Sequence, residues 1–319
     1  MEVNLTSLKD FSELKKEYYE QKISREQYWA EVKIYLTSLV RFTQSIKDFA
    51  EMHVINGELI FDIKPSKNSK NRILMVLIED DVRSVPFAII SHGFYEPFQA
   101  DILIEIGNRS ETFVDIGANT GFYSLALYKN NQNLNVYSFE PNPKVYNVLN
   151  YNIDLNKSIS RIRTYCYGLH NNNEILTMFE PKISGTGAGS LRKLHRNEDT
   201  IEFSVEVKKL DDFKLEKIDL IKMDVEGNEF NVLTGALETI ISSRPTVCAE
   251  LLRKWMKPFG HEPQNFVDEL LNLDYKCFAI SEKNLREITK ITESTIETNF
   301  IFCHESKKEH VNYLRSLVV

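Results

Sequence analysis

From about residue 95 onward, short apolar runs alternate with amphipathic stretches, and this alternation most constrains what the chain can fold into. TFVDI (112–116) reads as a strand and GFYSLALYKN as the helix that follows it. NVYSF (135–139) and NPKVYNVLNYNIDLN repeat the pair, and RIRTYCY supplies a third strand. IDLIKMD (218–224) is a fourth, with a helix over about 227–241, and PTVCAEL (245–251) a fifth, with a helix over 264–273. YKCFAI and TNFIFCH end the series as two strands expected to run antiparallel to each other. Strand–helix alternation predicts an α/β fold with a doubly wound, mostly parallel sheet. Ligands of such sheets lie beyond the carboxyl ends of the strands, near the switch point.

The first 93 residues differ. Residues 1–50 read as a helical extension, with Leu8, Phe11, Leu14 and Tyr18 on one face of a first helix. Trp29, Val32, Leu36, Leu39 and Val40 recur at helical spacing in a second. Ser24 and Gln27 form an S-x-x-Q capping box at its start. The extension either packs on its own domain or offers a dimerisation or partner-binding face, so a homodimer through these helices is one expected arrangement. Residues 51–93 hold ELIFDI, RILMVLIED and SVPFAIISH around polar KPSKNSKN, and read as a small antiparallel β element. The main domain then occupies 94–319.

A net charge of −7 argues against nucleic-acid partners, which need a basic footprint. MEVNLTSLKDFSELKKEYYEQ has no basic region followed by an apolar stretch, so no signal peptide is expected. No apolar run approaches the ~18 residues of a membrane span. Cys166, Cys248, Cys277 and Cys303 are far apart, lack CxxC spacing and sit in apolar segments. Buried free thiols in a reducing cytoplasm fit that pattern better than zinc ligands.

TFVDI runs into Gly117-Ala118-Asn119-Thr120-Gly121 and then a helix. The two glycines permit a tight turn and close backbone approach, and the helix offers its first amides. A dinucleotide loop would read G-x-G-x-x-G, but Asn119 and Phe122 stand where two of those glycines belong. Asp115 adds a negative charge that repels a phosphate and attracts a cation. Glu140 ends the next strand in SFEPNP, where an acid accepts both ribose hydroxyls. A ligand with a ribose, a cationic portion and no phosphate satisfies all three features. S-adenosylmethionine fits; NAD does not.

The fourth strand ends in Lys222, Asp224 and Glu226, charges at every second position. Alternation along a strand would place all three on one side. A strand-end salt bridge explains Lys222 and Asp224 as well as a functional role does.

FVDIGANTGFYSLAL, FEPNP and IDLIKMDVEGNEFNVLTGA followed by RPTVCAEL together resemble the FkbM family of S-adenosylmethionine-dependent methyltransferases. The resemblance covers about residues 95–251 and rests on three motifs in order, DxGANxG, FEP and K-x-D-x-E-G-x-E. It implies a class I methyltransferase, Rossmann-like sheet of seven strands ordered 3-2-1-4-5-7-6, with strand 7 antiparallel. It also implies methyl transfer to a hydroxyl of a sugar or related small molecule. Carried over by position, Asp115, Gly117, Asn119, Thr120 and Gly121 would cradle the methionine end. Glu140 would hold the ribose, with Pro141 and Asn142 shaping its loop, and Tyr167 and Gly168 would border the adenine. Tyr95 and Glu96, in GFYEP, would line the cofactor from the side.

Methyl transfer from a sulfonium is an in-line displacement that depends on alignment, and an alcohol acceptor must also lose its proton. Asp224 is expected to face the cofactor's cationic end, and Glu226 to position or deprotonate the acceptor. Lys222 would pair with one carboxylate and lower its pKa. His261, in PFGHEP, is a second candidate base. Glu250 faces the same crevice; with Asp224 and Glu226 it offers oxygens suited to magnesium, but the resemblance requires no metal and none is expected. SGTGAGS (184–190) reads as a lid over the acceptor or a plain loop. The competing readings are a methyltransferase for another acceptor class and a catalytically silent scaffolding protein.

Overall fold

The computed structural model describes residues 11–46, 50–78, 81, 84–158, 160–182, 185–194 and 199–318. Leu8 of the first expected helix and Ser184 of the glycine-rich loop lie outside them. Helices α1 (Phe11–Tyr19) and α2 (Arg25–Ile46) form the extension. The capping box is made as read: Ser24 N–H donates to Gln27 Oε1 at 2.8 Å, and Gln27 N–H to Ser24 Oγ at 3.2 Å. Tyr18 stacks on Tyr28 with ring centroids 4.5 Å apart, which ties the two helices together.

Strands β1 (Ala50–Ile55), β2 (Glu58–Ile63) and β3 (Ile73–Val76) make the expected antiparallel sheet, in the order β1-β2-β3. SVPFAIISH does not join it. It folds as helix α3 (Val85–His92), with Ser84 at the N-cap, Pro86 in the first turn and Gly93 closing the helix at φ +82°. Those start and stop signals outweigh the β propensity of Val, Phe and Ile. Helix α4 (Pro97–Gly107) follows.

The main sheet alternates as expected: β4 (Thr112–Ile116), α5 (Phe122–Asn130), β5 (Asn135–Phe139), α6 (Pro143–Leu155), β6 (Ile162–Tyr165). A second small sheet intervenes, built from β7 (Gly168–Leu169), β8 (Glu174–Pro181) and β9 (Thr200–Lys208) in the order β7-β9-β8. The helix expected over 227–241 is broken: β10 (Leu220–Met223) leads to α7 (Glu229–Thr234) and α8 (Leu237–Ser243). β11 (Thr246–Glu250), α9 (Arg253–Met256), α10 (Pro263–Leu271), β12 (Tyr275–Ile280), β13 (Leu285–Ile288), β14 (Asn299–His304) and α11 (Lys308–Ser316) complete the chain.

The strand order is β13-β12-β14-β11-β10-β4-β5-β6. Seven of these reproduce the 3-2-1-4-5-7-6 order, and β14 runs antiparallel to both β11 and β12. The eighth, β13, pairs antiparallel on the outer edge of β12. Side chains alternate between two cores as the pleat requires. Phe113, Leu220 and Cys248 face one, with α4 and α5; Val114, Ile221 and Val247 face the other, with α7, α8 and α10. Cys248, Cys277 and Cys303 are buried free thiols, and Cys166 is a partly buried one. No helix among the described residues is long and apolar enough to cross a membrane.

Helix α6 fastens the N-terminal sheet to the site. Fully buried Asn152 accepts the Val76 N–H at 2.9 Å and donates to the Thr120 carbonyl at 2.8 Å. Asn156 makes the same kind of paired contact with Leu74. Asn152→Ala would strand a buried amide and a buried carbonyl, each costing about 1–3 kcal/mol. Urea denaturation should therefore register a loss of about 2–5 kcal/mol.

Candidate functional site

β4, β5, β10 and β11 end at one level, and a cleft of about 380 Å³ opens beyond their carboxyl ends. The turn after β4 forms its floor. Gly117 and Ala118 both donate N–H to the Phe139 carbonyl at 3.0 Å, which folds the turn over β5. Gly117 has φ +74°, and a Cβ there would stand 1.9 Å from the Asp224 carbonyl oxygen, so only glycine fits. Asn119 takes the left-handed conformation at φ +49° and its side chain accepts the Thr120 N–H at 2.7 Å.

Asp115, the fourth residue of β4, is buried. Its Oδ2 accepts the Ser124 hydroxyl at 2.6 Å, while Oδ1 has no hydrogen-bond partner among the described residues; nor has Thr120 Oγ1. Two buried polar atoms without partners, both on residues lining one cleft, mark where a ligand's donors and acceptors belong. Glu140 accepts the Asn119 N–H at 3.0 Å and the Asn142 N–H at 2.9 Å. Burial nevertheless pushes its carboxyl up to about 7. Each oxygen keeps lone-pair capacity for a diol.

On the β10 side, Lys222 is the register partner of Asp115. Its ammonium is buried, 3.1 Å from Asp224 Oδ2 and 4.9 Å from the centroid of the Tyr123 ring. The surrounding carboxylates of Asp224, Asp115 and Glu96 outweigh its desolvation and raise its pKa. Asp224 is desolvated too, but the Lys222 ammonium holds its carboxyl below the usual range. Glu250, at the end of β11, is pushed up by burial and then by Asp224 and Glu226.

Lys222, Asp224 and Glu226 all line the cleft, as expected, but a continuous strand does not carry Glu226 there. β10 ends at Met223, and Glu226 sits in a turn at φ +52°, followed by Gly227 at φ +98°. Its direction is set by that turn. Buried Glu229 supports it, one carboxylate oxygen accepting the N–H of Val225 at 3.0 Å and of Gly227 at 3.2 Å. From outside, Ser190 Oγ donates to the Glu226 carbonyl at 2.9 Å. Gly187, Gly189 and Ser190 line the cleft, so the glycine-rich segment is one of its walls.

Of the residues singled out from sequence, Tyr95, Glu96, Asp115, Gly117, Asn119, Thr120, Glu140, Pro141, Tyr167, Gly168, Lys222, Asp224 and Glu226 all line the cleft. Gly121 and Asn142 do not. Gly121 closes the turn beneath Leu149, and Asn142 caps α6 by accepting the Lys144 N–H at 3.0 Å. His261 also lies off the cleft, its ring 4.6 Å from that of Phe230 and its Nε2 3.3 Å from Asn231 Oδ1. A base at His261 would sit away from the other candidates. Among the described residues, only Glu51, His53 and Asp62 bring three metal-ligating atoms within 4.8 Å of one another, so Asp224, Glu226 and Glu250 form no such set. Tyr123 and Trp255 are lining residues that no motif flagged. Tyr123 had a signal: it follows the glycine turn by two residues, and its hydroxyl donates to Glu96 at 2.6 Å.

A model of the methyltransferase FkbM domain matches residues 115–277, just over half of the chain and the whole of this cleft's β4–β11 side. The chain belongs to the FkbM methyltransferase family. Methyltransferase sdnD of Sordaria araneosa is 30% identical over 176 residues, 45% of this chain and 68% of that one. The 2-O-methyltransferase NoeI of Sinorhizobium fredii is 31% identical over 147 residues, 41% of this chain and 59% of that one. Hexuronic acid methyltransferase AglP of Haloferax volcanii is 25% identical over 150 residues, 44% and 56% of the two chains. The matched segments thus span little more than half of the last two relatives.

Proposed function

We propose that the chain is an S-adenosylmethionine-dependent O-methyltransferase whose acceptor is a hydroxyl of a sugar, glycan precursor or related small molecule. One observation carries the cofactor reading: the buried, unpartnered Asp115 Oδ1 stands in the same cleft as Glu140, with a glycine turn between them that leaves no room for a side chain. Asp115 suits the cofactor's ammonium, Thr120 its carboxylate end and Glu140 the ribose diol, with Tyr167 and Gly168 beside the base. When bound, the cofactor supplies an electrophilic methyl group. The chain's own part is alignment and charge placement, worth about 7–11 kcal/mol when reactants are well oriented.

Asp224, kept ionised by Lys222, lies where it stabilises a neighbouring cation. Glu226, turned by its left-handed backbone, holds the acceptor hydroxyl. The sugar reading draws on the relatives, one named for hexuronic acid and one as a 2-O-methyltransferase. Free thiols fit a reducing, cytoplasmic setting, and the α1–α2 hairpin, with Trp29 56% exposed, is the face we assign to a second copy of the chain.

Calorimetry with S-adenosylmethionine tests the reading. Binding should occur and weaken about 100-fold or more in Glu140→Ala, since removal of a charged hydrogen-bonding partner leaves the ribose unpaired. No binding, or binding indifferent to Glu140, would support the scaffolding reading instead. Labelled cofactor offered to neutral sugars, uronic acids and amines then identifies the acceptor. Glu226→Gln should bind cofactor as the unaltered chain does and lose turnover about 100-fold, because the acceptor hydroxyl is no longer held in line.

A further inference from the structure

The cleft holds more negative charge than it can carry. Among the described residues, Glu96, Asp115, Glu140, Asp224, Glu226 and Glu250 all line it, against two lysines. Lys254 is exposed, its ammonium 4.2 Å from the Trp255 ring centroid, so among the described residues Lys222 is the one buried cation in the lining. Six carboxylates cannot all stay ionised around one buried ammonium; the least compensated takes a proton instead. Lys222 stabilises Asp224, Asp115 and Glu96. Glu140 has two backbone N–H donors. Glu250 is faced by carboxylates: Asp224 and Glu226 from the turn after β10, Glu96 from the start of α4. Tyr95 and Cys248 also feel its charge, and on its β14 side its register partner is Asn299. It shares a hydrogen bond with Asp224.

We infer that Glu250 is the proton carrier of the reaction. It holds a proton in the cofactor-free cleft, releases it when the sulfonium cofactor binds, and takes the acceptor's hydroxyl proton as the methyl group moves. The inference rests on the cofactor reading above. A sulfonium beside Asp224 adds a second buried cation, so the balance at Glu250 reverses and the carboxylate becomes the stable form. Asp224 serves poorly as base because its charge is committed to Lys222. In the transfer, an oxygen lone pair forms the new O–CH3 bond, and the S–CH3 pair stays on sulfur. The O–H pair stays on oxygen, and the proton passes to Glu250. Sulfur is then neutral, and Glu250 keeps its proton until the next cofactor arrives. One proton leaves for solvent per cofactor bound, which balances the overall reaction.

The charged cofactor and its neutral thioether product, S-adenosylhomocysteine, separate this charge effect from contacts they share. Titrating each into the full chain at neutral pH, in buffers of differing ionisation enthalpy, counts protons released. S-adenosylmethionine should release close to one proton more than S-adenosylhomocysteine. In Glu250→Gln that difference should vanish while affinity for S-adenosylhomocysteine persists, which also reports that the variant is folded. Equal proton counts for the two ligands on the unaltered chain would overturn the inference without any variant. A difference that survives in Glu250→Gln would overturn it by placing the proton elsewhere. Failure of both ligands to bind would instead remove the cofactor reading beneath it.

Discussion

Gly117→Ala should cut kcat/KM about 100-fold, although it adds a single methyl group. The new Cβ would lie 1.9 Å from the Asp224 carbonyl oxygen and 2.9 Å from the carbonyl carbon. Real carbons do not approach so closely, so the β4 turn and the β10 end must separate by more than an ångström. A displacement of that size in the reacting zone is worth roughly two orders of magnitude in rate. Both flanks of the cleft meet at this contact, one carrying Asp115 and the other Asp224. Cofactor affinity should therefore fall with turnover. Gly260→Ala is the control, because Gly260 has a similar φ, +82°, with nothing within 4 Å of the added Cβ. It should pay only the left-handed backbone term, about 1–2 kcal/mol of stability, and keep its activity. Calorimetric titration and labelled methyl incorporation on both variants make the comparison.

That contact also shows why some of the site was legible before the fold was seen. Gly117, Asn119 and Glu140 belong to short motifs whose residue types are dictated by backbone geometry: two positions with positive φ and an acid that gathers loop amides. Such local demands survive in sequence. The sheet order was legible because alternating apolar runs fix strands and helices, and right-handed crossovers leave few ways to arrange them. What escaped depended on partners distant in sequence. Asn152 joins β3 to the glycine turn across 76 and 32 residues, and nothing in NVLNYNIDL distinguishes it from a surface amide. The β7-β9-β8 sheet was hidden because RIRTYCY reads as one strand, although the chain leaves the main sheet after Tyr165 and pairs Gly168 with Val207. Period two put Glu226 on the cleft side, where it does lie, but by assuming a strand that continues past Met223, where the chain turns. The opposite error befell SVPFAIISH, where Pro86 and Gly93 carried the helix signal and β propensity was weighted above them.

Lys222→Met should be the most destabilising single change in the cleft, at about 3–5 kcal/mol, because it strands buried carboxylates without their cation. The loss should also depend on pH with a definite sign. In the unaltered chain, Asp224 has a lowered pKa, so its contribution is present above its unfolded value and lost only as pH falls through the folded one. Lys222 has a raised pKa, so its contribution is present below its unfolded value and lost only as pH rises through the folded one. Between those limits the pair contributes a constant amount. Without the ammonium, Asp115, Asp224 and Glu96 lose the interaction that lowers them, and burial raises all three. A raised carboxyl favours folding only while protonated, so the variant should recover stability as pH falls and lose more as it rises. Urea midpoints measured for both proteins from mildly acidic to mildly alkaline pH should therefore diverge upward in pH. Parallel curves would mean that Lys222 is not what keeps these carboxylates ionised. Cofactor binding supplies a decisive second readout. If the cleft's surplus charge awaits a cation, the sulfonium cofactor should restore more stability to Lys222→Met than neutral S-adenosylhomocysteine does at the same saturation.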